Sequence, residues 1–475
     1  MNMKTIFGTC GVRKKFTEEF SGPQWLEIGM AIGTYLGKDS TVLIGRDTRQ
    51  TAELVQYAII SGLISCGCAV HVLHGSAESP YVTTSTIAYA TKHFDADAGI
   101  QVTASHNTPE YIGIKIWQKS GMGFTPAQEK MIDGIFASKK FRLARWNEIL
   151  KVKTILNANS IHLSAILDLV KPPLQFPDGN ITIAVDPGNG AACEIAPRLL
   201  QKLGVNVVSI NAQPDGLFPG RYSEPTNDNI KTLIKMVKND EDIHLGIAFD
   251  GDADRVRFVD GMGRLIEGDR ILLLFTTFLA KQEKIRRPCI VTPVNSSSIL
   301  EKYLEPLGIS VSRTRIGDIN VAMRIQELNA TIGGEISGTY TWPQIHLGPD
   351  SLFSMAKLVE IISRGGMLEV ILGEIPCFNL KHENLEIPEH LQEQLTLDSM
   401  EGDIMECLGQ IGIESPEINR LDGMLFKFNG GFLLARLSGT SPLLRLSCEN
   451  EDENKASEIL ERVSKVAKKW MMHSG

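Results

Sequence analysis

Short apolar runs and longer amphipathic stretches alternate along the first three quarters of the chain. Residues 42–45 read as a strand, 52–65 as a helix and 69–73 as a second strand, the order of a βαβ unit. The same grammar returns at 181–185, 194–203 and 205–210, and again at 289–292, 299–307 and 309–312. Each predicted helix leaves through a glycine: Leu63, Leu200 and Leu304 are followed four residues later by Gly67, Gly204 and Gly308, positions suited to a helix C-cap before a strand. Helix, glycine and strand in succession are also ordinary α/β grammar, so an internal duplication and a series of unrelated α/β units fit the pattern equally well. Both predict three similar α/β modules.

After Gly365 and Gly366 the pattern changes. Residues 369–376, the charged stretch 381–393 and a hairpin signal at Phe428-Asn429-Gly430-Gly431-Phe432 predict a different, α+β module. The chain closes with a predicted amphipathic helix at 455–470, for which Asn454 is the expected N-cap.

Composition narrows the class. The 475 residues suffice for about three domains. With 43% hydrophobic and 22% charged residues the chain is an ordinary globular protein, neither disordered nor fibrous. A formal net charge of -8 argues against nucleic acid as partner, because a polyanion needs a basic face. Residues 1–9 lack the apolar core of a secretory signal and the most apolar stretch, 271–280, is too short to span a bilayer, so a cytoplasmic protein with no membrane segment is expected. The 8 cysteines include no CxxC pair, and reduced, buried thiols are the expectation.

Six polar runs stand out against this background. Asp250-Gly251-Asp252-Ala253-Asp254-Arg255 follows a strand-like stretch, and carboxylates at alternate positions can converge on one hard cation such as Mg2+. An EF-hand is excluded, since Arg255 replaces the loop glycine and Gly261 the terminal glutamate; a solvated acidic turn is the remaining alternative. Arg436-Leu437-Ser438-Gly439-Thr440-Ser441-Pro442, with Arg445 beyond, supplies the amides, hydroxyls and guanidinium forks that hold a phosphate, although a tight turn between strands uses the same residue types. Gly333-Gly334-Glu335-Ile336-Ser337-Gly338 is polar and too rich in glycine for regular structure, and Glu335 and Ser337 suit sugar hydroxyls. Phe7-Gly8-Thr9-Cys10-Gly11-Val12-Arg13 and Gly45-Arg46-Asp47-Thr48-Arg49 carry arginines that either face phosphate or form surface ion pairs. Finally, Thr103-Ala104-Ser105-His106-Asn107-Thr108-Pro109 reads in part as a helix start, with Thr108 as N-cap and Pro109 in the first turn, which leaves Ser105 unexplained. No Walker loop or dinucleotide fingerprint is present.

Taken in order, FGTCGVR, GRDTR, TASHNTPEYIGIK, DGDADR, GGEISG and RLSGTSP resemble the α-D-phosphohexomutase family, from Phe7 to Arg445. The resemblance implies three related α/β domains with mixed sheets plus a C-terminal α+β domain around a central cleft, divided as 1–153, 154–256, 257–368 and 369–475. It implies Ser105 as a phosphoserine that shuttles a phosphoryl group, with His106 and Asn107 shaping its loop and Lys115 transferring a proton or stabilising charge. Mg2+ is expected on Ser105, Asp250, Asp252 and Asp254, the migrating phosphate on Arg13 and Arg255, sugar hydroxyls on Glu335 and Ser337, and the non-reacting phosphate on Arg436, Ser438, Gly439, Thr440 and Arg445.

The expected partner is a small phosphosugar, with a sugar 1,6-bisphosphate as activator, and the chain is expected to act as a monomer or homo-oligomer. The implied reaction moves phosphate between the 1 and 6 positions of a hexose, as in a phosphomannomutase or phosphoglucomutase, with phosphoglucosamine mutase and then phosphopentomutase as alternatives. A metal-dependent phosphatase or a silent phosphosugar sensor would share parts of the pattern; the Arg436 to Thr440 run disfavours the first, and Ser105 with three intact aspartates the second. Four departures stand out: Cys10, Ile112 and Ser441 occupy positions where many members have serine, asparagine and glutamate, and Thr339 stands where many have histidine.

Overall fold

Residues 41–46 are buried along most of their length, and a strand covered on both faces calls for parallel neighbours and helices above and below. The computed structural model describes residues 5–8, 11–176, 179, 181–282, 285, 287–373, 375, 378–391, 395–438 and 442–473. In it Thr41–Arg46 pairs in parallel with Ala69–Leu73 on one side and Ala98–Val102 on the other, and Tyr111–Gln118 returns antiparallel beside Ala98–Val102. Across the sheet these four strands stand in the order fourth, third, first, second.

The same order recurs twice. Thr182–Asp186, Asn206–Ser209, Ile243–Phe249 and Val256–Asp260 form the second sheet, and Cys289–Pro293, Ser310–Thr314, Ile332–Gly334 and Tyr340–Thr341 the third, each with three parallel strands and an antiparallel fourth. The first sheet adds Val12–Lys15 and Lys153–Ile155 at its edges. The three predicted α/β modules are thus topological copies. Of the three repeated glycines, Gly204 and Gly308 cap their helical segments in left-handed backbone, and Gly67 lies one residue past its cap, Cys66.

A five-stranded antiparallel sheet follows, ordered Asn379–Glu386, Leu443–Asn450, Gly431–Leu437, Met424–Phe428 and Glu417–Asn419. Its central hairpin turns at Asn429 and Gly430, with Gly430 at φ 84°, as the Asn-Gly pair predicts. The closing helix is Glu453–His473, longer than expected, and Asn454 lies inside it. Asp452 takes the capping place, its carboxylate accepting the Asn454 amide at 2.9 Å. The expected helix start at Thr108 and Pro109 is also corrected: this is a turn, with the Tyr111 amide on the Thr108 carbonyl, and a strand begins at Tyr111.

Strand pairing also bears on the edges of the units. Lys153–Ile155 straddles residue 153, and Val256–Asp260 pairs wholly with the second sheet. Hydrophobic pattern carries no trace of either, because an edge strand's partner is chosen in three dimensions.

The second and third units share one core, from Leu163 and Ile183 through Phe249 and Phe275 to Leu352. The first and fourth have cores of their own, around Trp25, Ile44 and Ile100 and around Phe426, Leu446 and Val463. The fourth unit is tied to the third by a small apolar contact of Val294 with Leu425, Phe432 and Leu434, and by Lys302–Glu451 at 2.6 Å. The stretch 271–280 belongs to the buried helix Gly268–Lys281, and no helix among the described residues is long and apolar enough to cross a membrane. Cys66, Cys68, Cys193, Cys407 and Cys448 are free and buried, and Cys289, also free, is half-buried.

Candidate active site

In each α/β unit a loop joins the third strand to the antiparallel fourth, and these three equivalent loops hold three of the polar runs singled out in the sequence. They are residues 103–110, 250–255 and 335–339. Each contains a backbone position with positive φ: Ser105 at 50°, Ala253 at 54° and Gly338 at 92°. Left-handed backbone is uncommon for serine and alanine.

For Ser105 the holding groups are Asp47 and Arg49. Both are fully buried. Asp47 accepts the Thr103 hydroxyl at 2.6 Å, and Thr103 Oγ1 in turn accepts the Ser105 amide at 2.8 Å. The Arg49 guanidinium donates to the carbonyls of Ser105, Asn107, Thr108 and Tyr111 at 2.6–3.0 Å and to the Asp47 carboxylate at 3.2 Å. Arg49 therefore neither faces phosphate nor forms a surface pair; its fork is spent on the backbone of the loop. Arg46, mostly buried, stands 3.4 Å from the exposed Glu53.

Ser105 is completely buried and donates its hydroxyl to Asp250 Oδ2 at 2.7 Å, across the boundary between the first two units. Asp250 Oδ1 accepts the amides of Asp254 and Arg255, both at 3.1 Å, which curls the loop so that three carboxylates face one point. Their nearest oxygens lie within 4.8 Å of one another. Thr84 donates to Asp252 Oδ2 at 2.7 Å, and Lys115 donates to Asp252 at 2.7 Å and to Asp254.

A cleft of about 750 Å³ opens beside this cluster, lined by His106, Arg255, Glu335, Ser337 and Arg445 among others. Arg255 reaches Glu224 Oε1 at 2.9 Å, and Arg13 reaches Asn107 Oδ1 at 3.1 Å. Glu335 uses both oxygens: one accepts the Gly317 amide at 2.8 Å, the other the hydroxyls of Ser337 and Thr339 at 3.2 Å. In the fourth unit Arg436 and Arg445 are directly opposite on paired strands, an arrangement of like charges that ordinarily repels and that an anion between them would relieve. Arg436 also stands 3.5 Å from Asp422. The Ser438 amide closes on the Leu443 carbonyl at 2.8 Å; Gly439, Thr440 and Ser441 lie outside the described residues, as do Thr9 and Cys10.

Three family models match the chain: phosphoglucomutase/phosphomannomutase alpha/beta/alpha domain I over residues 4–143, domain II over 162–263 and domain III over 267–376. A Pyrococcus abyssi protein named a probable phosphoglucosamine mutase is 36% identical over 466 residues, covering 98% of each chain. The chain belongs to the α-D-phosphohexomutase family. A phosphoglucomutase/phosphomannomutase of Thermococcus kodakarensis is equally similar, 36% over 469 residues and 97% of each chain. A solved phosphoglucomutase/phosphomannomutase family protein from Burkholderia thailandensis shares the fold, with a TM-score of 0.80 at 23% identity over 98% of this chain and 97% of that one. This phosphohexomutase is accordingly an enzyme, an intramolecular phosphotransferase acting as a phosphosugar mutase.

The electrostatics of the phosphohexomutase site suit a divalent cation. Asp252 Oδ1 and Asp254 Oδ1 are buried without a hydrogen-bond partner among the described residues, which is costly for carboxylates unless a ligand completes them. Burial opposes the charge on Asp252, but Lys115 and the Thr84 hydroxyl outweigh it and hold its pKa below the usual carboxylate value. Burial, then Asp254 and Asp252, push Asp250 well above. Burial works against the ammonium of Lys115, and the two aspartates overcome it, so the lysine stays charged. His106 is kept neutral by burial and by the cations Arg255, Arg13 and Lys115. Thr84 and Glu224 carry no signal in sequence: each acts through a partner more than thirty or a hundred residues away.

Proposed function

We propose that this enzyme interconverts hexose 1-phosphate and 6-phosphate, with Ser105 as phosphoryl carrier. The observation that carries the reading is the hydroxyl of Ser105, buried in a left-handed turn, on Asp250 of a three-carboxylate cluster supplied by the neighbouring unit. Phosphorylated Ser105 would pass its phosphoryl group to the free hydroxyl of a hexose monophosphate, breaking the Oγ–P bond and forming the second phosphate ester of a bisphosphate, with the hydroxyl's proton ending on Ser105 Oγ. The bisphosphate, reversed within the cleft, returns its other phosphate to Ser105 Oγ. Phosphoryl transfer is chiefly positioning and charge neutralisation.

Each unit contributes a part. Ser105, Asp250, Asp252 and Asp254 would hold a divalent cation of the Mg2+ type, which supplies charge neutralisation at the transferring phosphoryl group. Lys115 stays protonated beside them and adds positive charge to the same place, while neutral His106 lends the loop a polar wall without a competing charge. Arg13 and Arg255 bind the migrating phosphate, and Glu335 and Ser337 the sugar hydroxyls. Arg436 and Arg445, with Ser438, Gly439 and Thr440, grip the phosphate that does not react. A cleft that excludes water protects the phosphoserine from hydrolysis.

Asp252→Asn should weaken Mg2+ activation at least about tenfold without unfolding the chain; full activity in excess EDTA would end the metal reading. Arg436→Ala should raise KM by roughly ten- to a hundredfold, the worth of a charge-assisted phosphate contact, and release more bisphosphate per turnover. Unchanged KM and leakage would make the 436–442 run an ordinary turn and favour a phosphatase.

The substrate is best read by assaying glucose, mannose, glucosamine and ribose 1-phosphates with Mg2+ and a trace of the matching bisphosphate. Glucose or mannose phosphate is the leading assignment. The name of the Pyrococcus abyssi relative supports glucosamine phosphate as a second.

A further inference from the structure

Deep behind the carboxylate loop lies a second cluster of titratable groups, His162, His346 and Asp350, each completely or almost completely buried and none a part of the proposed chemistry. They come from three places in the chain: His162 from the helix Ala158–Val170, His346 from the loop after Tyr340–Thr341, and Asp350 from the N-cap of the helix Ser351–Gly365. Both imidazoles reach the same oxygen, His162 Nε2 at 3.0 Å and His346 Nε2 at 3.1 Å from Asp350 Oδ2, while Asp350 Oδ1 accepts the Phe353 amide at 2.9 Å.

Two histidines and a carboxylate are also a metal-ligand set, but the tautomer of His346 opposes that use. The Gly348 amide donates to His346 Nδ1 at 3.0 Å, so Nδ1 carries no proton and the neutral ring has its N–H at Nε2, pointing at Asp350. Burial keeps His346 neutral. A nitrogen that donates a hydrogen bond has no lone pair for a metal. The cluster is a hydrogen-bonded tie, and Tyr89 stacked on His162 at 4.9 Å fixes its ring.

Both ends of the tie lead to the carboxylate loop. On one side His162 Nδ1 pairs with Thr86 Oγ1 at 3.1 Å, and Thr86 with Thr83 at 2.8 Å, in the first turn of the helix Thr84–His93. In that turn the Thr84 hydroxyl holds the Asp252 side chain and its amide holds the Asp252 carbonyl at 2.8 Å. On the other side Ser351, next to Asp350, donates its hydroxyl to the Ala253 carbonyl at 2.6 Å. Ala253 is the left-handed residue between Asp252 and Asp254. The loop is thus clamped from two helix N-termini that belong to different units, and His162 joins them.

We infer that His162, Asp350 and Ser351 are positioning residues that hold the 250–254 backbone in its cation-binding conformation, acting through the Ala253 carbonyl and through Thr84. The inference rests on the reading of Asp250, Asp252 and Asp254 as the cation site. Without the clamp, Ala253 relaxes from left-handed backbone and the carboxylates of Asp252 and Asp254 no longer converge.

The test measures Mg2+ binding directly, by calorimetry on the full chain, beside sugar-phosphate KM at saturating Mg2+. Wild type is measured first: no Mg2+ binding there, or binding unaltered by Asp252→Asn, overturns the cation site and this inference with it. With that site established, Ser351→Ala and His162→Leu should each weaken Mg2+ at least fivefold while KM stays within twofold. His162→Gln, whose amide N–H can stand where Nε2–H does, should return Mg2+ affinity to within twofold of wild type. Should His162→Leu fail to fold, Ser351→Ala decides alone, since it leaves the Asp350 cap untouched. Folded variants that bind Mg2+ like wild type, or a His162→Gln no better than His162→Leu, overturn the assignment. So does a stoichiometric zinc ion lost on His162→Leu, which would make the cluster a metal centre.

Discussion

Ser105→Ala should reduce mutase turnover by at least ~10⁴-fold, since a covalent carrier has no substitute once its nucleophilic oxygen is removed. The fold should survive. The substitution deletes one hydroxyl from a loop whose backbone is held elsewhere, by Thr103 and Arg49. Its cost is the loss of one hydrogen bond to Asp250, about 1–3 kcal/mol because the acceptor is a buried carboxylate. Sugar-phosphate binding should change only a few-fold, because neither phosphate grip nor sugar contacts involve the serine oxygen. Two measurements check this: turnover in the substrate panel, and intact mass of active wild-type protein after incubation with sugar bisphosphate, which should place phosphate on Ser105. Turnover retained in Ser105→Ala, or active enzyme with no phosphate at this residue, would remove the carrier from the mechanism.

Arg49→Met should have the largest effect on stability, about 3–5 kcal/mol, the cost of breaking a buried ion pair by removing one partner. The arginine is fully buried and holds four carbonyls of the 105–111 segment as well as Asp47, whose carboxyl is already pushed up by burial against the pull of Arg49. Methionine fills the volume and satisfies none of these acceptors. Turnover should fall with stability, since Ser105 keeps its left-handed backbone only while its carbonyl is held. Arg49→Lys should rescue little: an ammonium offers one point of charge where the site uses a planar fork. Equilibrium unfolding of the three proteins measures the difference, and a lysine variant as stable as wild type would show that charge alone suffices.

The GRDTR run was visible in the chain, yet its arginines were legible only as cations. Sequence places Arg49 four residues past a predicted strand; it does not say that the 105–111 carbonyls wait inside the protein for its fork. His162 and Asp350 left even less trace, for they are separated by 188 residues and neither sits in a recognisable run. Thr84 is likewise one polar residue among several in a helix start.

Local order was different. The apolar period of each βαβ unit and the Asn-Gly turn at 429–430 are set by neighbours in the chain, and the structure reproduces them; residues 369–376, expected in the different module after Gly366, instead send Leu372 and Ile375 into the core shared by the second and third units. Asn454 and Thr108 show the limit of local reading: a cap is chosen by which side chain reaches the free amides, and Asp452 and the antiparallel return at Tyr111 prevailed.

The sequence by itself determined the three α/β units, the different fourth and the family. It did so because hydrophobic period and turn chemistry act over a few residues, and because the six runs occur in a fixed order. Only the tertiary structure decided that residues 103–110, 250–255 and 335–339 are the same loop of a repeated unit, that all three reach one cleft, and that the buried Arg49 holds the first of them. Those facts depend on which sheet packs against which and which buried donor meets which acceptor, and such contacts span distances along the chain over which local pattern carries no information.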